Sequence, residues 1–259
     1  MTVTDVNVVK SAIFERPDDA NKGTLGSLLC VCGSYGMAGA AVMSAKGALR
    51  TGIGLAKCAL PRSIYPIVAQ TILESVYYPL SENADGRISK VNVPFLVSES
   101  CKSSATLVGC GLGVCDDTLK IVFSLIENST TPLVLDADAL NCVAKQPEIL
   151  LRKKAPIIIT PHPGEMSRLT GLATPLVNAE RQRVALDFAQ KYGVVTVLKG
   201  AGTVIASSNG KVLVNPTGNS GMATGGSGDV LAGMTASILA QGASAFSSAA
   251  AAVYLHGLA

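Results

Sequence analysis

The chain has 259 residues, enough for one large α/β domain with a sizeable core, and no linker-like stretch divides it. Hydrophobic residues make up 48% and charged residues 15%, which excludes a disordered chain, and a net charge of +3 is too small to indicate nucleic acid as a partner. No apolar stretch reaches the length of a membrane span, and the acidic N-terminus excludes a signal peptide. We therefore expect a compact cytoplasmic enzyme with no membrane or nucleic-acid partner.

In chain order, short β-branched runs alternate with longer Ala-rich segments, a pattern typical of βα units. The first predicted strand and helix pairs are 26–33 with 38–52, 55–60 with 62–70, and 106–113 with 116–127. Segments 132–144 and 155–171 each indicate a strand, a polar turn and a helix. The C-terminal part is predicted to contain helix 178–193, short strands at 194–200, 202–208 and 211–215, and helices at 227–242 and from 244 onward.

This order predicts a central, mostly parallel sheet with helices on both faces, and the closely spaced last strands are expected to include antiparallel or edge strands. In such folds ligands bind at the carboxyl ends of the strands, where nearly every glycine-rich or acidic turn of this sequence falls. The chain has an odd number of cysteines without a CxxC pair, and its two histidines have no ligand-like spacing to any of them. We interpret the cysteines as reduced core thiols and predict no protein-built metal site. They are Cys30, Cys32, Cys58, Cys101, Cys110, Cys115 and Cys142.

The stretch "TGGSGDVLAG" at 224–233 has the features of an anion site. If a helix begins at Ser227 or Gly228, the free amides of the glycine run and the positive end of the helix dipole attract a phosphate. Asp229 in the first turn is a poor phosphate ligand but a suitable general base for a hydroxyl that attacks phosphorus. The alternative is that Asp229 only complements the helix dipole.

Other nucleotide signatures are weak. No GxxxxGK[ST] motif occurs, and the glycines of "GCGLG" (109–113) and "GSYGMAG" (33–39) do not have the spacing of a dinucleotide-binding fingerprint.

Six motifs in order nevertheless resemble one family: "GSYGMAGAAVMSAKGALRTGIGL", "VGCGLG", "VLDADALN", "ITPHPGE", "VLKGAGTVI" and "NPTGNSGMATGGSGDVLAGM". They are similar to those of the ADP-dependent NAD(P)H-hydrate dehydratases, a branch of the ribokinase-like superfamily, from about residue 20 to the end. The resemblance implies a ribokinase-like fold and a homotetramer. It also implies a single dehydratase domain over 1–259, with a leader at 1–20 and no fused epimerase domain. Ser227 stands where the family often has threonine, and the family usually continues past Ala259.

The implied activity is that of a hydro-lyase that repairs hydrated NADH and NADPH. ADP phosphorylates the unwanted ring hydroxyl in the presence of Mg²⁺, and loss of phosphate then restores the dihydronicotinamide. Asp229 is the implied catalytic base, and Ala41, Gly113, His162 and Asp229 are implied to contact the hydrated dinucleotide. The positions implied to bind the adenine nucleotide are Lys199, Gly200, Ala201, Gly202, Thr203, Gly225, Gly226, Ser227 and Gly228.

Several residues keep two interpretations. Glu165 is explained by helix capping as well as by the resemblance. Asp136, Asp138 and Asn141 either orient a magnesium-bound phosphate through water or cap a helix. Lys199 is alternatively a solvated strand-end lysine, His162 a turn histidine and Ala41 a helix-packing residue. Two other functions stay open: a ribokinase-like kinase of small vitamin precursors, and a nucleotide-binding regulator without catalysis.

Overall fold

The structure is a computed structural model that describes residues 3–13 and 15–259. It begins with helix α1 (Val6–Ala12), which lies inside the segment predicted as a leader. The Asp5 side chain caps this helix by accepting hydrogen bonds from the backbone N–H groups of Asn7 and Val8. Ala12 is buried, so part of the leader is packed into the domain. Within the described ranges, none of the helices combines the length and apolar character needed to cross a lipid bilayer.

The first half of the chain contains five strands and five further helices. They are β1 (Ser27–Val31), α2 (Ala38–Arg50), β2 (Leu55–Pro61), α3 (Tyr65–Thr71), β3 (Val76–Leu80), α4 (Val93–Cys101), β4 (Ala105–Val108), α5 (Asp116–Asn128), β5 (Leu133–Leu135) and α6 (Asp138–Val143). The second half follows with β6 (Ile157–Ile159), α7 (Pro163–Thr170), α8 (Thr174–Ala179), α9 (Arg181–Tyr192), β7 (Val195–Leu198), β8 (Val204–Ala206), β9 (Val212–Val214), α10 (Ser227–Ala240) and α11 (Ala245–Leu258).

The nine strands form one sheet in the order β3-β2-β1-β4-β5-β6-β7-β8-β9. Strands β1 to β7 are parallel, and β8 and β9 are antiparallel to their neighbours β7 and β8, respectively. The predicted mostly parallel sheet with an antiparallel end is therefore confirmed. The chain builds the sheet outward in both directions from the β1–β4 pair, and such a switch point leaves a crevice at the carboxyl ends of these two strands.

Side chains of each inner strand alternate between two hydrophobic cores, one on each face of the sheet. In β1, Leu29 and Val31 enter the core beneath α4 to α9, whereas Leu28 and Cys30 enter the core beneath α2, α10 and α11. Both faces are covered, so the inner strands consist almost entirely of apolar residues.

Helix α10 packs closely on α2 through glycines. A Cβ atom at Gly233 would collide with the carbonyl oxygen of Ser44, and one at Gly47 would lie 2.7 Å from the carbonyl oxygen of Val230. The two backbones therefore meet directly, and this contact fixes the position of the first turn of α10 relative to the sheet.

The stretch between 72 and 105 contains two elements that the sequence did not indicate. Strand β3 lies at the edge of the sheet, is largely part-exposed and includes Pro79, so it lacks a continuous buried run. Helix α4 is short and has Pro94 near its start. Neither segment shows the periodicity on which the predictions depended.

Candidate active site

Four reactive side chains meet at the carboxyl ends of the central strands. Asp136 directly follows β5, Lys199 directly follows β7, Cys110 lies two residues after β4, and Asp229 is the third residue of α10. The Lys199 Nζ atom lies 2.7 Å from Asp136 Oδ1. The Cys110 sulfur and one carboxylate oxygen each of Asp136 and Asp229 lie within 4.8 Å of one another. The parallel topology thus brings together residues that are far apart in the sequence.

Helix α10 begins at Ser227, as predicted, and its N-terminus faces a cation. The preceding residue Gly226 has φ of +89°, a backbone conformation that favours glycine, and a Cβ atom there would also force the Met43 side chain to move. A Cβ atom at Gly228 would lie 3.4 Å from Lys199 Nζ, which places the ammonium group beside the first helical turn. The helix N-terminus and the lysine together favour a bound anion.

Asp229 has a pKa suited to proton transfer. Burial, followed by the nearby Asp136 carboxylate, raises the pKa of its carboxyl group to about 6, although the Cys110 thiol and the charge of Lys199 act in the opposite direction. A carboxylate with a pKa near neutrality is ionised at pH 7 and still accepts a proton readily.

Lys199 is held in an internal ion pair. Its side chain is 18% exposed, and besides Asp136 it lies 3.9 Å from Glu165 Oε2. Burial opposes its charge, but Asp136 and Glu165 outweigh that effect, so the pKa of Lys199 is raised. Lys199 is therefore a charged group in the site and not a solvated strand-end lysine.

The two aspartates of "DADA" point to different partners. Asp136 Oδ1 also accepts a hydrogen bond of 2.7 Å from Thr160 Oγ1. Asp138 Oδ2 accepts one of 2.8 Å from the Gly113 N–H. Ala137 between them has φ of 48°, a conformation that costs a non-glycine residue free energy and often occurs at functional sites. Asn141 donates to Asp138 Oδ1 and accepts from Arg168, so it supports the turn from the side.

His162 and Glu165 form a capping box at the start of α7. Glu165 Oε2 accepts from the His162 N–H at 2.8 Å, and His162 Nδ1 accepts from the Gly164 N–H at 3.0 Å. Burial, together with Lys199 and Arg168, lowers the pKa of His162, so the ring is neutral at pH 7 and carries its hydrogen on Nε2. Burial raises the pKa of Glu165, although Lys199 opposes this. Capping thus explains Glu165, and the same side chain also faces Lys199.

The "KGAGT" segment forms a closed loop after β7. Thr203 Oγ1 donates to the Gly200 carbonyl at 2.9 Å, and Arg181 Nη2 donates to the Leu198 carbonyl at 2.7 Å. A groove of about 520 Å³ adjoins this loop. Its lining includes Arg181, Arg183, Ala201, Gly202 and Val214.

Four other residues predicted to bind the substrate or the nucleotide surround the cluster of Asp136, Lys199, Cys110 and Asp229 to different degrees. Gly113 is joined to it through Asp138, and the Ser227 hydroxyl lies 3.5 Å from His256 Nε2. Gly225 is exposed just before the helix. Ala41 is only 3% exposed and packs against the turn at Gly33, so its side chain is part of the helix packing.

Sequence reasoning missed two residues of this region. Cys110 was interpreted as one more core thiol, and it is fully buried, but it also faces both aspartates. Arg87 covers Gly113, since a Cβ atom there would lie 2.5 Å from Arg87 Nε. The signal for Cys110 was its position in "VGCGLG" at a strand end next to the switch point. Arg87 lies in the stretch 72–105, where no element was predicted.

The described residues do not form a dedicated magnesium cage. Asp136 is already occupied by Lys199, Thr160 and the Cys110 thiol, and a thiol is a soft ligand that Mg²⁺ does not prefer. The cluster of Cys110, Asp136 and Asp229 therefore does not fit a resident Mg²⁺.

A mostly parallel nine-stranded sheet, with a glycine-rich helix N-terminus and a cluster of acids at its switch point, defines a ribokinase-like α/β protein. The solved structure of the ADP/ATP-dependent NAD(P)H-hydrate dehydratase from Bacillus subtilis, co-crystallised with ATP and Mg²⁺, superposes with a TM-score of 0.82. It is 31% identical in sequence, and the match covers 98% of this chain and 86% of that one.

The family model described as NAD(P)H-hydrate dehydratase matches residues 28–259, and the chain belongs to this family. The bifunctional NAD(P)H-hydrate repair enzyme Nnr of Moorella thermoacetica is 38% identical over 96% of this chain and 47% of that protein. The ADP-dependent (S)-NAD(P)H-hydrate dehydratase of Neisseria meningitidis serogroup B is 36% identical over 94% of this chain and 79% of that protein. The chain spans about half the length of the bifunctional relatives that it matches.

Proposed function

We propose that this protein dehydrates the S form of hydrated NADH and NADPH back to the reduced cofactors and converts ADP to AMP and phosphate. The ring hydroxyl attacks the β-phosphorus of ADP, AMP leaves, and the ring then carries a phosphate ester. Hydroxide is a poor leaving group and phosphate a good one. The ring nitrogen expels the phosphate, and loss of a proton from the neighbouring carbon restores the dihydronicotinamide.

The observation that carries this proposal is a base of suitable pKa in the first turn of an anion-binding helix. Asp229, with a pKa raised to about 6 by burial, takes the proton of the attacking hydroxyl. The amides of Gly225 to Gly228 and the ammonium group of Lys199 stabilise the charge on the transferring phosphoryl group. The relatives from Neisseria and Bacillus are named for the same reaction, which supports the assignment.

The adenine nucleotide is proposed to lie along the "KGAGT" loop, Lys199 to Thr203, where the groove of about 520 Å³ offers space beside Ala201 and Gly202. The hydrated dinucleotide is proposed to approach from the side of Gly113 and His162. The neutral His162 offers its Nε2–H as a donor there, while the buried Ala41 limits the volume beneath the glycine turns.

Further features of the assignment are also proposals. Because residues 3–13 and 15–259 form no dedicated cage, Mg²⁺ would come bound to the phosphates of ADP, its usual arrangement with nucleotides. All seven cysteines are free thiols, which suits a reducing cytoplasm. We further propose a single catalytic domain that assembles as a homotetramer.

The first experiment mixes the purified protein with acid-hydrated NADH, ADP and Mg²⁺, and follows dihydronicotinamide absorbance together with free phosphate. Both signals are expected to rise with ADP. A stable phosphorylated product without phosphate release would instead identify a small-molecule kinase. No turnover with either ADP or ATP would contradict the proposal and favour a nucleotide-binding regulator.

The role of Asp229 is tested by Asp229→Asn, which removes the base but keeps the size of the side chain. We expect turnover to fall by at least about a hundredfold, while calorimetry shows ADP binding within a few-fold of the unmodified protein. Asp187→Asn removes an exposed aspartate of α9 and serves as the charge-matched control. Unchanged turnover in Asp229→Asn would exclude this residue as the base.

A further inference from the structure

Arg181 is the first residue of α9, and its guanidinium group contacts the chain where β7 ends. Its Nη2 atom donates a hydrogen bond of 2.7 Å to the Leu198 carbonyl oxygen. Gly200 has φ of +146°, and a Cβ atom there would lie 2.9 Å from Arg181 Nη1 and 3.0 Å from Nη2. Because this backbone conformation favours glycine, the flat guanidinium packs directly against the backbone. Arg181 therefore contacts the two residues that flank Lys199.

The position is unfavourable for a cation. The helix dipole is positive at the N-terminus of α9, where Arg181 lies. The side chain is part-buried and its Nε atom is buried without a hydrogen-bond partner. Within the described part of the chain, no carboxylate forms an ion pair with it. Since a part-buried charge without a counter-ion costs free energy, stability alone would favour a neutral residue here.

The contacts of Arg181 bear on the direction in which Lys199 leaves β7. The Lys199 backbone N–H donates to the Pro161 carbonyl oxygen at 2.8 Å, and its Nζ atom lies 2.7 Å from Asp136 Oδ1. The same Nζ atom lies beside the first turn of α10, 3.4 Å from where a Cβ atom of Gly228 would be. A change in the backbone at Lys199 would move the ammonium group away from this turn.

We infer that Arg181 is a positioning residue for Lys199: its guanidinium holds Leu198 and Gly200, on both sides of the lysine, and so directs the ammonium group to the N-terminus of α10. The effect on nucleotide binding rests on the proposed function. A guanidinium carries donors along a flat fork, whereas an ammonium group is compact. A lysine at position 181 would therefore keep the charge but would not hold both neighbours at once.

The test is a double-mutant cycle read by calorimetry of ADP binding in the presence of Mg²⁺. We expect Arg181→Met to weaken binding about tenfold, and Arg181→Lys to weaken it nearly as much. In a Lys199→Met background, Arg181→Met should weaken binding by less than about twofold, because the group that it positions is gone. Arg152→Met, at an arginine whose side chain is 64% exposed elsewhere, should bind ADP as the unmodified protein does.

The cycle also distinguishes positioning from direct attraction. If Arg181 attracted the nucleotide by its own charge, Arg181→Lys would bind ADP normally and the losses from Arg181→Met and Lys199→Met would add. Either result would overturn the inference. Thermal unfolding establishes that each variant is folded, and Arg181→Lys takes the place of Arg181→Met in the cycle if the latter does not fold.

A second readout needs neither ADP nor turnover. Lys199 is only 18% exposed in its ion pair, so acetic anhydride should acetylate it slowly. Mass spectrometry is expected to show faster acetylation of Lys199 in Arg181→Met, with an unchanged rate at Lys102, which is 64% exposed. An unchanged rate at Lys199 in the folded variant would overturn the inference. Faster acetylation in the variant of a protein that binds no ADP would support the positioning of Lys199 and contradict the proposed function instead.

Discussion

At the scale of single residues, the site contains an acid, Asp229, whose ionised form is disfavoured by burial and by the neighbouring Asp136. Asp229 is partly buried beside Asp136, so the folded state is more stable when this acid is neutral than when it is ionised. The same charge is what the proposed role of Asp229 as a base requires. A residue chosen only for stability would be neutral at this position.

We therefore expect Asp229→Asn to stabilise the protein in a pH-dependent way. The pKa of Asp229 is raised from 3.8 to about 6, so stability from the protonated acid is fully present below pH 3.8 and is lost as the pH rises through 6. Above that range the variant should be more stable by about 1 kcal/mol, allowing for solvent screening of a part-exposed group. Denaturant unfolding at pH 4 and pH 7.5 measures the difference. An equal effect at both pH values would contradict the raised pKa.

Local sequence patterns indicated single candidate residues but not which of them lie together. Asp229 was predicted as a site residue because a glycine run and an acid precede an apolar helix, which is a local pattern. The ion pair of Lys199 and Asp136 joins residues 63 positions apart, and only the strand order brings them together. Cys110 sits in an apolar run, so its neighbours in sequence indicate burial and say nothing of two carboxylates.

At the scale of elements, the contact between α10 and α2 positions the anion site. Because Gly233 and Gly47 have no side chain, the backbones of α10 and α2 meet directly. This contact fixes where the first turn of α10 lies. The position of the proposed phosphate site thus depends on glycines, because a side chain at either position would separate the two helices. The fold predictions succeeded where an element was periodic, as in α5, or was a long buried apolar segment, as in α10, and missed β3, which is part-exposed at an edge.

Gly233→Ala should accordingly be costly. Its Cβ atom would collide with the Ser44 carbonyl oxygen, and this backbone group cannot move aside as a flexible side chain would. We expect a loss of about 2–3 kcal/mol in the free energy of unfolding. Gly39→Ala, an exposed position of α2 whose Cβ atom would meet Met43 Cε only at 4.0 Å, is the matched control and should be neutral or slightly stabilising. Equal stability of both variants would show that α10 shifts freely.

At the scale of the whole molecule, one sheet separates two cores, and an apolar edge remains on its surface. At the β3 end, Ile67 is 57% exposed, Leu73 83% and Val76 40%. Clustered apolar side chains on an otherwise polar surface often mark an interface between proteins. We expect this edge to form contacts within the proposed homotetramer.

Light scattering after size exclusion tests the assembly. The particle mass is expected to be four times the 26.4 kDa of one chain. Leu73→Glu should reduce it, because a charge would be buried in the contact, whereas Leu151→Glu, at a residue 58% exposed elsewhere, should not. A monomeric mass for the unmodified protein would contradict the tetramer, and an intact Leu73→Glu tetramer would exclude this edge as its interface.

The ion pair between Lys199 and Asp136 is expected to link phosphate binding to the protonation of the nearby acids. A phosphate that draws Lys199 toward itself leaves Asp136 and Asp229 within 4.8 Å of each other with less positive charge beside them. Two such acids bind a proton more tightly, so we expect binding of the proposed nucleotide to take up a proton and to weaken as the pH rises. The proposed base, in contrast, works only when Asp229 is ionised. The pH optimum of the proposed reaction is then expected to be a compromise between a binding step that gains a proton and a chemical step that requires its absence.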